Sequence, residues 1–254
     1  MGTYIRDLTY DQVRVHLETH PVVVLPIGGG SKEHGPHLPL GTDQWLAEGL
    51  AERLARTSPV LVLPTLSYAY YPAFVDWPGS ISIRSRTFMD LVGDIVRSMH
   101  RHGARRFLLL DTGVSTHPPL RTLSSELHDE LGVLVAVTDI RTLGRTVTSR
   151  LEEQPSGGHA DEMETSYMLV LRPELVRMER APREWRTLIE GSVGSDGAVR
   201  VHVGGKMTTA NGINGDATLA TVAKGEAALS AMVADIETFV RAFATTPLPD
   251  GGRQ

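Results

Sequence analysis

Four short apolar runs, each followed by a stretch of helical character, set the strongest constraint on this fold. Residues 22–26 (VVVLP), 60–64 (VLVLP), 106–110 (RFLLL) and 133–137 (VLVAV) read as buried strands bounded by turn-forming residues. The first stops at three consecutive glycines, 28–30. Between and after the strands, residues 43–56 place Trp45, Leu46, Leu50 and Leu54 at helical spacing, with Thr42 or Asp43 as a natural N-cap. Helices are also predicted over 87–101, 120–131, 164–171 and 220–244. Strands alternating with helices predict an α/β fold around a largely parallel sheet. Nothing in the sequence divides residues 1–246, so one domain is expected, followed by a disordered tail over 247–254.

Composition narrows the chemistry. With 25 basic and 30 acidic residues the formal net charge is −5, so no overall basic field favours nucleic acid or an anionic membrane surface. No stretch approaches the ~20 apolar residues that span a bilayer, and residues 1–13 lack an apolar signal core. A cytoplasmic protein acting on a small molecule, with neither nucleic acid nor membrane as partner, is the expectation. The absence of cysteine removes disulfides, thiolate ligands and a cysteine nucleophile. Any transition-metal site must then be built from imidazole and carboxylate.

In such sheets, working residues gather beyond the carboxyl ends of the strands. The loop after the first strand, SKEHGPHLPLGTD (31–43), offers Glu33, His34, His37 and Asp43 within eleven residues. Gly35 and Pro36 impose a bend, and Asp43 at a helix start is kept ionised by the helix dipole. Each residue alone reads more simply as a hydrogen-bonded loop or a cap; the four together read as a metal site. The segment HADEMETS (159–166) supplies His159, Glu162 and Glu164, suited to proton transfer or ligation. Its competing reading is an acidic helix start, which weighs most against Glu162. If helical, the segment puts His159, Glu162 and Met163 on one face. After the third strand, LDTGVSTHPPL (110–120) brings Ser115, Thr116 and His117, with His117 a ligand, a substrate contact or a bystander. The aromatics Tyr68, Tyr70, Tyr71, Phe74 and Trp77 suit either a pocket for a planar ligand or a subunit interface.

The string PIGGGSKEHGPHLPLGTD (26–43) resembles the opening metal motif of the creatininase family. WPGSISI (77–83), HADEMETS and GINGDATLATVAKGE (212–226) are similar to three further family stretches, in the family's order. The resemblance spans nearly the whole chain. It implies a three-layer α/β/α sandwich and a homo-oligomer, a hexamer. It also implies one or two divalent ions (zinc or manganese, with iron as a further option) held by the motif's first Glu, first His and closing Asp. The last two map to His34 and Asp43, and the later histidine, which contacts substrate or moves protons, maps to His159. Two positions depart from the pattern. The ligand Glu falls on Lys32, so Glu33 takes that role only if the loop is one residue shorter. The Gly-His motif after the third strand is absent, its histidine falling on Gly113 and a nearby acidic position on Ser115.

The expected function is therefore metal-dependent hydrolysis of a non-peptide amide or cyclic amide/amidine C–N bond through a metal-activated water, an amidohydrolase activity. Glu33, His34, Asp43 and His117 are the expected ligands. His159, Glu164 and Glu162 are expected to move protons, and His37, Ser115, Thr116, Tyr71 and Trp77 to contact substrate. Two other readings stand beside it: a lyase or isomerase using the same Glu/His site on a cyclic or sugar-like substrate, and a non-catalytic member that has lost the second metal.

Overall fold

The computed structural model describes residues 1–19, 22–186, 202 and 204–249. In chain order the main elements are β1 (Thr3–Tyr4), α1 (Tyr10–Thr19), β2 (Val22–Ile27), α2 (Thr42–Thr57), β3 (Val60–Val62), α3 (Ser85–Arg101), β4 (Arg106–Asp111) and α4 (His117–Leu131). They continue with β5 (Leu134–Val137), α5 (Arg145–Leu151), α6 (Glu162–Leu171), β6 (Arg183–Glu184), β7 (Gly215–Asp216) and α7 (Val222–Thr245). Strands β1 to β5 form one sheet in the order β1-β3-β2-β4-β5, and every pairing is parallel. β6 and β7 make a small antiparallel pair.

Why the interiors of the central strands are apolar is visible in the packing. Successive side chains of a strand point to opposite faces. Val22 and Val24 of β2 face a core built with Leu46, Leu50 and Leu54 of α2, Tyr167 of α6, and Met232 and Ile236 of α7. Val23, Leu25 and Ile27 face a second core with Phe88, Val92 and Val96 of α3 and Leu120, Leu123 and Leu127 of α4. Both faces are covered, so the strand interiors are apolar and in β4 the polar residues, Arg106 and Asp111, stand at its two ends. The result is the expected α/β/α sandwich, with helices on both sides of a parallel sheet. No described helix is long and apolar enough to cross a membrane.

Strand order places the site. The chain leaving β2 steps to β3 on one side, whereas the chain leaving β4 steps to β5 on the other. The two exit loops thus part in opposite directions and open a crevice beyond the carboxyl ends of β2 and β4, where open α/β sheets bind ligands.

Several local expectations are corrected. Gly41 is the N-cap of α2 and makes no side-chain cap, so Thr42 and Asp43 lie inside the first turn. α6 starts at Glu162, leaving His159 outside the helix and off the face it was expected to share with Glu162 and Met163. Asp161 caps α6, accepting hydrogen bonds from the Met163 and Glu164 N–H groups at 3.0 and 3.1 Å. Helices α1 and α5 were not anticipated: α1 buries no residue fully and α5 buries one, Thr148. The tail expected over 247–254 lies largely outside the described residues.

α7 closes the first core by pressing onto α6 where Gly225 meets the Ser166 carbonyl, a contact that leaves no room for a β-carbon. Gly225→Ala is expected to push the two helices apart and to lower stability by about 1–3 kcal/mol, read as a lower denaturant midpoint.

Candidate metal and catalytic site

The loop after β2 is folded back onto the start of α2. Gly28 lies so close to the Asp43 backbone carbonyl that any side chain would collide with it. Thr112, just past β4, donates its hydroxyl to that same carbonyl at 2.8 Å. Gly35 adopts φ +71°, a left-handed turn that suits glycine, and its N–H donates to Glu33 Oε1. This bend turns Lys32 and His34 inward together, onto one carboxylate. Lys32 Nζ lies 2.7 Å from Asp43 Oδ2, and His34 Nε2 lies 2.9 Å from Asp43 Oδ1. All three side chains are buried.

The opposite wall comes from the approach to α6. His159 pairs with Asn214 as an isolated bridge, and Ala160 follows with φ 49°. A positive φ at a residue other than glycine is strained and persists only where its surroundings hold it. Here the Ala160 N–H is held by Glu164 Oε2 at 2.6 Å. The same oxygen lies 3.9 Å from His34 Nε2 and 3.8 Å from His159 Nδ1. His34, His159 and Glu164 each offer one ligand atom within 4.8 Å of the others, the convergent set of three found among the described residues. Glu33 sits behind His159, its Oε2 3.1 Å from Nε2. Burial raises the Glu33 carboxyl; in its ionised form it accepts the proton of Nε2 and leaves the Nδ1 lone pair facing Glu164.

This donor set fits a divalent cation. Both His34 nitrogens face oxygens, Nδ1 the Lys32 carbonyl at 2.9 Å and Nε2 the Asp43 carboxylate. A neutral imidazole has one N–H to give. With it on Nδ1, the Nε2 lone pair faces a carboxylate, and a cation lying among Nε2, Asp43 and Glu164 satisfies them all. Imidazole nitrogen and carboxylate oxygen suit zinc or manganese. His34 then has the carbonyl partner that a metal-bound histidine usually has on its other nitrogen.

Burial shapes the charges. It raises the Glu164 carboxyl, which His34 and Lys32 only partly offset. It lowers His159 well below the usual imidazole range, with Lys32, His34 and Arg186 acting the same way, so this ring is neutral at neutral pH. Asp43 is the exception: burial works against its charge, yet Lys32 and His34 outweigh that and hold it at about 2. Lys32 is raised in turn, because Asp43 and Glu164 more than offset its burial.

Beside Asp43 a cavity opens between the exit loops of β2 and β4, lined among others by Lys32, Tyr71, Asp111, Ser115 and Thr116. Asp111 Oδ1 accepts from the Thr116 hydroxyl at 2.7 Å and from the Gly113 N–H at 3.1 Å, whereas its buried Oδ2 has no partner. Burial pushes this carboxyl up to about 8, against the pull of Thr116 and Gly113.

The structure brings some expected residues together and separates others. His34, Asp43, His159 and Glu164 converge. Glu33 stands behind His159 instead of joining the convergent set, and Lys32 occupies the place beside Asp43, so the loop is not shortened there. His117 does not join the set either: it opens α4 and turns to the exit of β5, Nδ1 3.1 Å from the Thr138 carbonyl and Nε2 3.9 Å from Asp139. Glu162 is fully buried and bonded to the Glu153 and Gln154 N–H groups and the Lys224 ammonium, a clamp between α6 and α7 that leaves no oxygen for chemistry. His37 is buried against the Thr165 hydroxyl at 2.8 Å. Tyr71, Ser115 and Thr116 line the cavity; Trp77 is outside that lining, packed beside Gly205 under Lys206. Sequence reasoning missed three residues: Lys32 as a partner of Asp43, Asp111 as a buried acid, and Arg186. The Arg186 charge acts on Glu33 and Glu164, and its Nε is buried with no hydrogen-bond partner among the described residues. The departure of Lys32 from the motif and the place of Asp111 at the carboxyl end of the third predicted strand were signals for two of them; Arg186 carried none.

A family model described as creatininase, creatinine amidohydrolase, matches residues 6–240. A 3-dehydro-scyllo-inosose hydrolase of Thermotoga maritima is 26% identical over 265 residues, covering 94% of this chain and 83% of that protein. A mycofactocin precursor peptide peptidase of Mycobacterium tuberculosis is 30% identical over 252 residues, covering 92% and 89%. Among solved structures, a creatininase variant of Zn-Zn type superposes with a TM-score of 0.81 at 25% identity, covering 97% of this chain and all of that one.

Asp111 gives a pH signature. Its folded pKa of about 8 stands above the ordinary 3.8, so its contribution to stability is fully present below pH 3.8 and is lost as pH rises toward 8. Asp111→Asn keeps both accepted hydrogen bonds and removes the titration. The stability of the variant minus that of the wild type should therefore climb between pH 4 and 8, by at most about 1.4 kcal/mol per pH unit, and level off above. Urea midpoints across that range check it; a flat difference contradicts the assignment.

Proposed function

The chain belongs to the creatininase family, and on that premise we propose that it is a divalent-metal-dependent hydrolase cutting an amide, or a cyclic amide or amidine, C–N bond in a small molecule. One observation carries the reading: buried His34 and His159 and half-buried Glu164 converge within 4.8 Å, with Asp43 on the same His34 nitrogen. His34, Asp43 and Glu164 would hold the ion, so Glu164, expected to act as a proton donor, is read here as a ligand. An ion on such ligands polarises a carbonyl and acidifies a water.

The remaining work falls to the protein's own groups. His159 is the neutral base: its Nδ1 lone pair faces the site, while Glu33 holds Nε2 and so fixes the ring. Nδ1 takes the proton released as the nucleophile forms and returns it to the departing nitrogen, a role that contributes typically ~10²–10⁴-fold. Phe74 packs on the His159 ring with centroids 4.5 Å apart, keeping water from its face. Arg186 Nε, buried and without a partner among the described residues, offers a donor to an acceptor on the substrate. Lys32, Tyr71 and Thr116 line a cavity beside Asp43 of about water size.

Exhaustive chelation should abolish hydrolysis, and zinc or manganese should restore it. A suitable substrate panel covers the bond types suggested by the relatives' names: creatinine, a short peptide and a cyclic polyol ketone. Solvent ¹⁸O should enter a product; its absence would favour a lyase or isomerase, and full activity after chelation would remove the metal from the mechanism. His159→Gln should lower kcat by ~10²–10⁴-fold with metal content unchanged, whereas His34→Ala should lose the metal itself.

A further inference from the structure

Asp43 divides its two oxygens between two different partners. Oδ1 meets His34 Nε2 at 2.9 Å, on the side where Glu164 and His159 converge. Oδ2 meets Lys32 Nζ at 2.7 Å, on the side of the cavity between the β2 and β4 loops. A carboxylate shared by two metal ions gives one oxygen to each. In this chain one of those oxygens is already covered by an ammonium.

We propose that the Lys32 ammonium stands in the place of a second metal ion, so that each chain binds one divalent cation, on the Oδ1 side of Asp43. This rests on the metal-dependent reading above and specifies it. Three observations support it. The Lys32 and Asp43 side chains are only 8% and 3% exposed, so the ion pair is not a loose surface contact that an incoming ion would simply displace. A buried pair broken on one side leaves an uncompensated charge, and that strongly resists displacement. Lys32 Nζ also lies 5.1 Å from the centre of the Phe74 ring, whose face favours a cation there. Finally, the wall opposite Lys32 is poor in ligands: Gly113, Val114, Ser115 and Thr116 carry no imidazole or carboxylate, and Asp111 is the one acid in that lining besides Asp43. Burial keeps Asp111 protonated at neutral pH, as expected beside a single positive charge already paired with Asp43.

The arrangement differs from the Zn-Zn form of the creatininase variant it superposes on. Two mobile dications are reduced to one mobile dication and one tethered monocation. The tethered charge cannot be chelated, and it balances Asp43 whether or not the metal is bound.

The test is metal counting. The full chain is saturated with zinc, freed of excess by gel filtration and analysed by mass spectrometry for zinc per chain. One ion is expected. Two ions would overturn this inference and leave the hydrolase reading intact; none, even at saturating zinc, would overturn both. In parallel, Lys32→Glu puts a carboxylate beside Asp43 and Asp111 and should raise the count toward two. A count that stays at one in that variant would mean the ammonium is not what excludes the second ion, and the inference falls. Should the variant not fold, the cobalt-loaded wild type decides. Its electron paramagnetic resonance should be that of an isolated high-spin ion, and a spin-coupled pair would overturn the proposal.

Discussion

The buried carboxylate of Asp43 is the point on which the rest of the structure turns. An ionised carboxyl taken out of water costs several kcal/mol unless it is paired and hydrogen-bonded. Asp43 meets that condition twice, through Lys32 on one oxygen and His34 on the other. Both partners come from a loop that must double back to reach it. That requirement explains the glycines after β2, since Gly28 touches the Asp43 backbone and Gly35 makes the reversal. It also explains why Thr112 donates to the Asp43 carbonyl, tying the exit of β4 to the same turn. The crevice therefore has its shape because one charge has to be neutralised there.

The chain's layers were readable because both sheet faces are covered. When strand interiors are apolar and the long helices carry an apolar stripe, the one-dimensional pattern is sufficient; α2, α3 and α7 begin and end within two residues of where periodicity puts them. α1 escaped because Val13 and Leu17 only partly pack on the sheet and the rest of the helix faces water. Within the site, His34, Asp43, His159 and Glu164 were legible as residue types suited to a metal. Their partners were not. A lysine is by default a solvated residue, and nothing in linear spacing says that Lys32 is buried on Asp43, eleven residues away. Glu162 misled for the mirror reason: an acid at a helix start reads as exposed, yet its counter-charge, Lys224, comes from α7, 62 residues further on. Pairings of that range are decided by packing.

Strain and order meet at Ala160. A left-handed backbone at a residue with a side chain is tolerated because the His159 bridge to Asn214 holds one side and Glu164 the other. The effect is to aim His159 across the crevice from outside the helix, at an angle α6 itself would not provide. Acid, base and ligands are thus supplied by two loops and two helix starts, on a sheet that has no reason to move.

The convergent groups lie on either side of a long interval of sequence: His34 and Asp43 belong to the first βα unit, His159 and Glu164 to the approach and first turn of α6. Neither part can grip a cation alone. Contacts of such sequence separation form late, because loop closure must come before they yield any gain. The site is therefore a seam sewn only when α6 docks beside α2. Until then a newly made chain exposes no complete chelate, and ion capture marks the arrival of the native state, coupling metal affinity directly to the completion of folding.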